Sequence, residues 1–173
     1  ISGIAASLGF RIFIIDDRAD FSNPTRFPEA EQTVVSDYGS AFNKLPIGTN
    51  SFIVIATRGH RYDASATAAA MKTPASYVGL LGSKRKTILI FEELFSEGFT
   101  MEEVQSVRSP IGLNISARTP EEIALSIMAE IVGFRLGGDG GTLKLDQRLI
   151  DKAAEKADRR PENASTAEAV GAD

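Results

Sequence analysis

The feature that most constrains this chain is an alternation. Short, unbroken apolar runs are separated by stretches with helical spacing. The clearest runs are residues 12–15 (Ile-Phe-Ile-Ile), 52–56 (Phe-Ile-Val-Ile-Ala) and 77–81 (Tyr-Val-Gly-Leu-Leu), with shorter candidates at 33–35 and 111–115. A strand wetted on one face alternates apolar and polar residues. One that is apolar throughout must be covered on both faces, as in a parallel sheet. Segments 37–45, 63–71 and 84–98 read as the intervening helices. This order predicts an α/β fold, doubly wound around a mostly parallel, Rossmann-like sheet.

The last helix of this region carries the strongest local signals. Thr119 suits an N-cap, Pro120 the first helical position, and Glu122 can close a capping box. Ile123, Ile127 and Ile131, with Ala124 and Met128, then form an apolar stripe that reads as core. After Phe134 the composition changes. Gly137, Gly138, Gly140 and Gly141 form a break, residues 144–160 can make a short amphipathic helix, and residues 161–173 are small, polar and expected to be disordered. The expected organisation is therefore an N-terminally incomplete Rossmann-like domain over residues 1–135, then a linker, short helix and flexible tail over 136–173.

The domain reads as incomplete because of how the sequence begins. Residues 1–8 read as a helix ended by Gly9, with a strand following Arg11. In a Rossmann fold a strand and a glycine-rich turn precede that helix, and the strand lies mid-sheet. Without it the sheet exposes unpaired backbone groups across a gap. Another segment, domain or copy of the chain is expected to fill that gap, which also makes a homo-oligomer the expected state.

Open α/β sheets bind ligands beyond the carboxyl ends of their strands. Four polar clusters fall there. Asp16, Asp17 and Arg18 follow the first run. Thr57, Arg58, Gly59, His60 and Asp63 follow the second. Gly82, Ser83, Lys84, Arg85 and Lys86 end the third and open a helix, and Pro110 to Leu113 begin a later strand. Asp16 and Asp17 sit where the ribose-binding acid of such folds belongs, about 20 residues beyond the glycine turn; alternatively Asp17 pairs locally with Arg18 or Arg26. The Gly82–Lys86 segment offers free N–H groups and cations to an anion such as phosphate, although its spacing is not that of a Walker A loop. His60, the only histidine, is a candidate acid, base or ligand-lining group, or a structural residue. Asp16, Asp17 and Asp63 are its only obvious co-ligands and the chain has no cysteine, so no metal site is expected.

Composition removes several function classes. The net charge of −4 argues against a nucleic-acid partner, and no apolar run reaches the roughly 18 residues of a membrane span. No signal-peptide pattern opens the sequence, so the cytoplasm is the expected compartment.

Taken in order, Asp16-Asp17-Arg18, Arg26-Phe27-Pro28, Thr57-Arg58-Gly59-His60 with Asp63, Gly79-Leu80-Leu81-Gly82-Ser83-Lys84-Arg85-Lys86, Pro110-Ile111-Gly112-Leu113 and Thr119-Pro120-Glu121-Glu122-Ile123-Ala124 resemble the C-terminal domain of the XdhC/CoxI family. The resemblance covers residues 1–134. It implies an accessory factor for xanthine dehydrogenase and related molybdenum hydroxylases. Such a factor binds molybdenum cofactor, a pterin with a phosphate or dinucleotide tail, and helps insert it into the apoenzyme; delivery, not catalysed turnover, is the implied role. Asp17 would touch a ribose or pterin hydroxyl. Ser83, Lys84 and Lys86 would hold phosphate, and Arg58 and His60 would line the cleft. Family members usually carry a preceding cysteine-bearing domain, which is not in this sequence. Two other readings stay open: an NAD(P)-binding oxidoreductase with His60 as proton donor, and a non-catalytic partner-binding module.

Overall fold

The structure is a computed structural model that describes residues 1–159. Residues 161–173, expected to be disordered, lie outside the described residues. The chain divides into two compact units, residues 1–140 and 141–173.

Within the first unit, helix α1 (Ser2–Ser7) leads into strand β1 (Phe13–Asp16), which pairs in parallel with β2 (Gln32–Val35). Helix α2 (Tyr38–Ala41) and a 3-10 turn (Phe42–Lys44) connect to β3 (Phe52–Ile55). Helix α3 (His60–Met71) crosses to β4 (Tyr77–Leu80), which pairs in parallel with β3. Helices α4 (Lys84–Ser96), α5 (Met101–Ser106) and α6 (Pro120–Leu136) complete the unit. The second unit contributes α7 (Gln147–Asp158), capped by Asp146.

The apolar runs are explained by two cores, one on each side of the strands. Ile15, Ile53, Ile55, Val78 and Leu80 pack with Tyr38 and with residues of α3, α4 and α5. Ile12, Ile14, Phe52, Val54 and Tyr77 pack on the other side with α1 and α6. Successive strand side chains point to opposite faces, so apolar residues at every position satisfy both cores at once. Alanines 64, 66, 68 and 70 on α3 are almost fully buried, so this helix lies close against its neighbours.

The sheet is in two pieces. Among the described residues β1–β2 and β3–β4 form separate two-stranded ladders. Ile12 and Asp16 direct their carbonyls at the β2 segment, accepting from Glu31 and Ser36, and Ile55 directs its carbonyl at Leu81. The backbone alternates sides along a strand, so Phe13 and Ile15 turn their polar groups away from β2. Phe52 and Val54 likewise turn theirs away from β4. These are the two edges that the expected mid-sheet strand would join. Side chains span the interval instead: the Phe10 ring meets Phe52 edge-on at 5.7 Å.

Three elements differ from the sequence reading. Residues 111–115 do not form a strand; the extra parallel bridge falls earlier, at Arg108 opposite Gly79. Pro110 has no N–H to give a ladder and Gly112 adopts φ +107°, so the run cannot stay extended. It is stitched to α6 instead: the Gly112 N–H donates to Glu130 and the Ser126 hydroxyl to the Leu113 carbonyl at 2.6 Å. Helix α3 starts at His60, three residues before the expected start, with Gly59 at the N-cap. Helix α5, opened by a capping box of Thr100 and Glu103, has no counterpart in the sequence reading. The Thr119–Glu122 capping box and Pro120 at the start of α6 are present as expected.

Gly79 sits where β4 runs closest to its neighbours. A Cβ there would lie 2.3 Å from Ile111 Cδ1 and 2.8 Å from the Tyr77 ring. Gly79→Ala is therefore expected to overpack the strand and cost about 1–3 kcal/mol, read as a lower urea midpoint with an unchanged m-value.

Candidate functional site

The carboxyl ends of β1, β3 and β4 carry the polar residues that the sequence points to. Asp16 and Asp17 end and follow β1. Asp16 accepts from the Arg18 backbone N–H at 3.0 Å and from its guanidinium at 2.9 and 3.2 Å. Burial pushes the Asp16 carboxyl up, but the hydrogen bonds from Arg18 outweigh it and hold the group below the usual carboxylate range. Arg18 is fixed from its other side by the Phe21 ring, 3.7 Å from its guanidinium carbon. Arg26, a possible partner of Asp17 in the sequence, lies over Phe21 and Phe27 instead.

Asp17 is held from across the sheet. Arg58, just after β3, donates to Asp17 Oδ2 at 2.7 Å and to the Tyr62 hydroxyl at 3.0 Å, with the Tyr62 ring beneath it. This ion pair joins the tip of β1 to the loop after β3, across the interval between the two ladders. Asp17 Oδ1 is buried without a hydrogen bond but lies 3.7 Å from Arg18 Nε, so the local ion pair with Arg18 that the sequence offers is present beside the one with Arg58. Tyr62 is not among the residues the sequence reading selects; Arg58 lies before the Gly59 N-cap of α3, so helical spacing does not link the two.

Asp63 anchors the second half. Its side chain has no exposure. It accepts from the Thr57 N–H at 3.1 Å and the Thr57 hydroxyl at 2.7 Å, and it pairs with Lys86 from α4. Lys86 also reaches the Leu81 carbonyl at 3.5 Å. Thus Lys86, expected to face a phosphate, has its charge committed to a buried carboxylate. Lys84 is exposed, and none of the ion pairs among the described residues uses it.

The start of α4 is capped by Ser83, whose Oγ accepts the Lys86 N–H at 3.3 Å. The N–H groups of Lys84 and Arg85, at the first two helical positions, have no intrahelical acceptor and point out of the helix start. Gly82 leaves room for the Lys86 stem, which lies 3.1 Å from the place a Cβ would take. His60 opens α3. Its Nδ1 lies 3.7 Å from Glu93 Oε2, too far for a hydrogen bond, and its Nε2 is buried without a partner. Glu93 stands 33 positions further along on a different helix, and no local pattern points to it.

The structure therefore brings Asp17, Thr57, Arg58, Asp63 and Lys86 into one connected set spanning β1, β3 and α4, with Gly59 and His60 at the start of α3 and Ser83 and Lys84 at the start of α4. Three buried polar atoms there lack a hydrogen bond: Asp63 Oδ2, which is paired with Lys86, Asp17 Oδ1, which has Arg18 Nε at 3.7 Å, and His60 Nε2. Buried polar atoms normally have partners, so these atoms are candidates for contact with a ligand or with water.

The parallel strands and their flanking helices define a Rossmann-type domain, with its candidate site at the carboxyl ends of the strands. Residues 1–131 match the family model described as the XdhC Rossmann domain. The chain belongs to that family. It is similar to the uncharacterised protein YqeB of Escherichia coli K12, at 34% identity over 83% of this chain and 26% of that protein. It is similar to a probable xanthine dehydrogenase subunit of Bacillus subtilis 168, at 29% identity over 78% of this chain and 39% of the relative. The molybdenum cofactor insertion chaperone PaoD of E. coli K12 is 30% identical over 59% of this chain and 32% of its own length. Among solved structures, one described as a xanthine dehydrogenase from Bacillus halodurans matches with a TM-score of 0.67 at 26% identity, over 82% of this chain and 40% of that one. The chain thus spans well under half the length of each of these relatives. Among the described residues no helix is long and apolar enough to cross a membrane.

Two tests follow from the site's electrostatics. Lys86→Met strands the buried Asp63 carboxylate and is expected to cost roughly 3–5 kcal/mol, whereas Lys84→Met, on an exposed side chain, should change stability by no more than about 0.5 kcal/mol. Chemical denaturation of the two variants checks the contrast. Asp16 gives an acid-sensitive contribution. Its folded-state pKa lies below its unfolded value, so its stabilisation is complete above about pH 3.9 and is lost as pH falls through the folded value. Asp16→Asn should therefore flatten the acid limb of a plot of melting temperature against pH, while leaving the slope near pH 7 unchanged.

Proposed function

We propose that this chain is the cofactor-holding domain of an accessory factor for molybdenum hydroxylases of the xanthine dehydrogenase type. It binds molybdenum cofactor and assists its insertion into the apoenzyme. The observation that carries the reading is the juxtaposition of Asp17 and Arg58 with the start of α4, at the carboxyl ends of parallel strands. The names of the B. subtilis and PaoD relatives give this geometry its direction, since fold alone does not give function.

The residues present suit a pterin with a phosphate-bearing tail. The outward N–H groups of Lys84 and Arg85, with the free Lys84 ammonium, meet the phosphate. Asp17 keeps Oδ2 on Arg58 and offers Oδ1 to a ribose or pterin hydroxyl. His60 Nε2 supplies one more polar contact at the cleft wall, and Lys86 serves as a positioning residue, since Asp63 already holds its charge. The bound cofactor would supply the redox chemistry of the client hydroxylase; the work of this chain is to orient and shield it. A parallel strand from another segment or chain, laid between β1 and β3, belongs to the same reading. It would pair the backbone groups of Phe13, Ile15, Phe52 and Val54.

The test is titration of the purified full chain with molybdopterin-type cofactor and, in parallel, with NAD(P). Removing a charge-assisted phosphate contact by Lys84→Ala is expected to weaken cofactor binding about 10- to 100-fold. Equal affinity of wild type and variant would remove the phosphate site. Tighter binding of NAD(P) than of the pterin cofactor would overturn the delivery role.

A further inference from the structure

The outer face of α4 is unusual for a helix packed on a sheet. Thr87, Ile90 and Leu94 are buried on its inner side, yet Ile88, Leu89 and Phe95 are 58%, 45% and 39% exposed. With exposed Arg85 and Glu92 they form one stripe at positions 85, 88, 89, 92 and 95, the spacing of a single helical face. None of the ion pairs among the described residues uses Arg85 or Glu92. They cannot pair within the helix, because seven residues separate them by about 10.5 Å of helical rise, beyond the reach of neighbours three or four apart.

The order along the stripe is base, two aliphatics, acid. Two such helices packed antiparallel, with a two-fold axis between Ile88 and Leu89, set Ile88 of each against Leu89 of the other. The same operation sets Arg85 of each against Glu92 of the other, twice by symmetry. Parallel packing would instead bring Arg85 onto Arg85 and Glu92 onto Glu92. The stripe is therefore complementary to itself in one orientation only, as a two-fold interface requires. We infer that the outer face of α4 is a docking surface for a second copy of this chain, packed antiparallel through Ile88 and Leu89 and oriented by reciprocal Arg85–Glu92 pairs.

A helix of 13 residues is about 20 Å long and buries less than a standard interface. The dimer is accordingly concentration-dependent. Its apolar centre gives it affinity and its charges give it direction. The stripe adjoins the proposed phosphate site, which takes the Arg85 backbone N–H but no side chain of Arg85 or Glu92.

The experiment is sedimentation velocity over a concentration series of the full chain, with Arg85→Glu, Glu92→Arg and the double exchange. Both positions face solvent, so far-UV circular dichroism should be the same for every protein. Each single reversal places two like-charge pairs at the interface and should raise the dimer dissociation constant at least about tenfold. The double exchange recreates both pairs and should return it to within about threefold of wild type. Leu89→Glu should abolish association. A wild type that is monomeric throughout the series, single reversals that leave association unchanged, or a double exchange that fails to restore it would each overturn the inference.

Discussion

A carboxylate with no access to water has to be met by charge and hydrogen bonds, and Asp63 is met from two directions. Thr57 supplies two donors from the loop after β3, and Lys86 arrives from the first turn of α4. Leaving either half out would strand a buried polar group at a cost larger than most single interactions in the domain. The pair consequently fixes how the β3–α3 turn stands relative to the β4–α4 turn. The starts of α3 and α4, with His60 on one and Ser83 and Lys84 on the other, take their places from it.

Around that anchor the fold follows from two-sided burial. Strands β1, β3 and β4 serve a core of α3, α4 and α5 on one side and a core of α1 and α6 on the other. Gly79 allows β4 to pass Ile111 at a distance that no side chain would permit. The loop before α6 abandons extended structure and commits its polar groups to Glu130 and Ser126 instead.

Much of this is legible in the residues. The apolar runs at 12–15, 52–56 and 77–81 announce strands covered on both faces, and Thr119, Pro120 and Glu122 announce α6 through the chemistry of helix starts. What is not legible has physical causes. Residues 111–115 look like a strand by composition, but Pro110 and Gly112 deny them the backbone. Helix α5 is only six residues long, and one capping box is a small signal. The polar clusters are identifiable as candidates. The division of labour within them is not: Lys84 and Lys86 are indistinguishable in a run of cations, and only the fold shows Lys86 turned inward to a carboxylate 23 positions earlier. Arg58 and Asp17 are 41 residues apart, and no periodicity links them.

The Arg58–Asp17 contact has a mechanical side. In most doubly wound sheets the separation of neighbouring strand tips is set by a continuous backbone ladder, which is stiff. Here the tips of β1 and β3 are tied by one guanidinium and one carboxylate, both partly wetted. The two strand tips are therefore tethered, not welded. The spacing of the tips rests on a contact that salt weakens and that a change in the Arg58 rotamer would break.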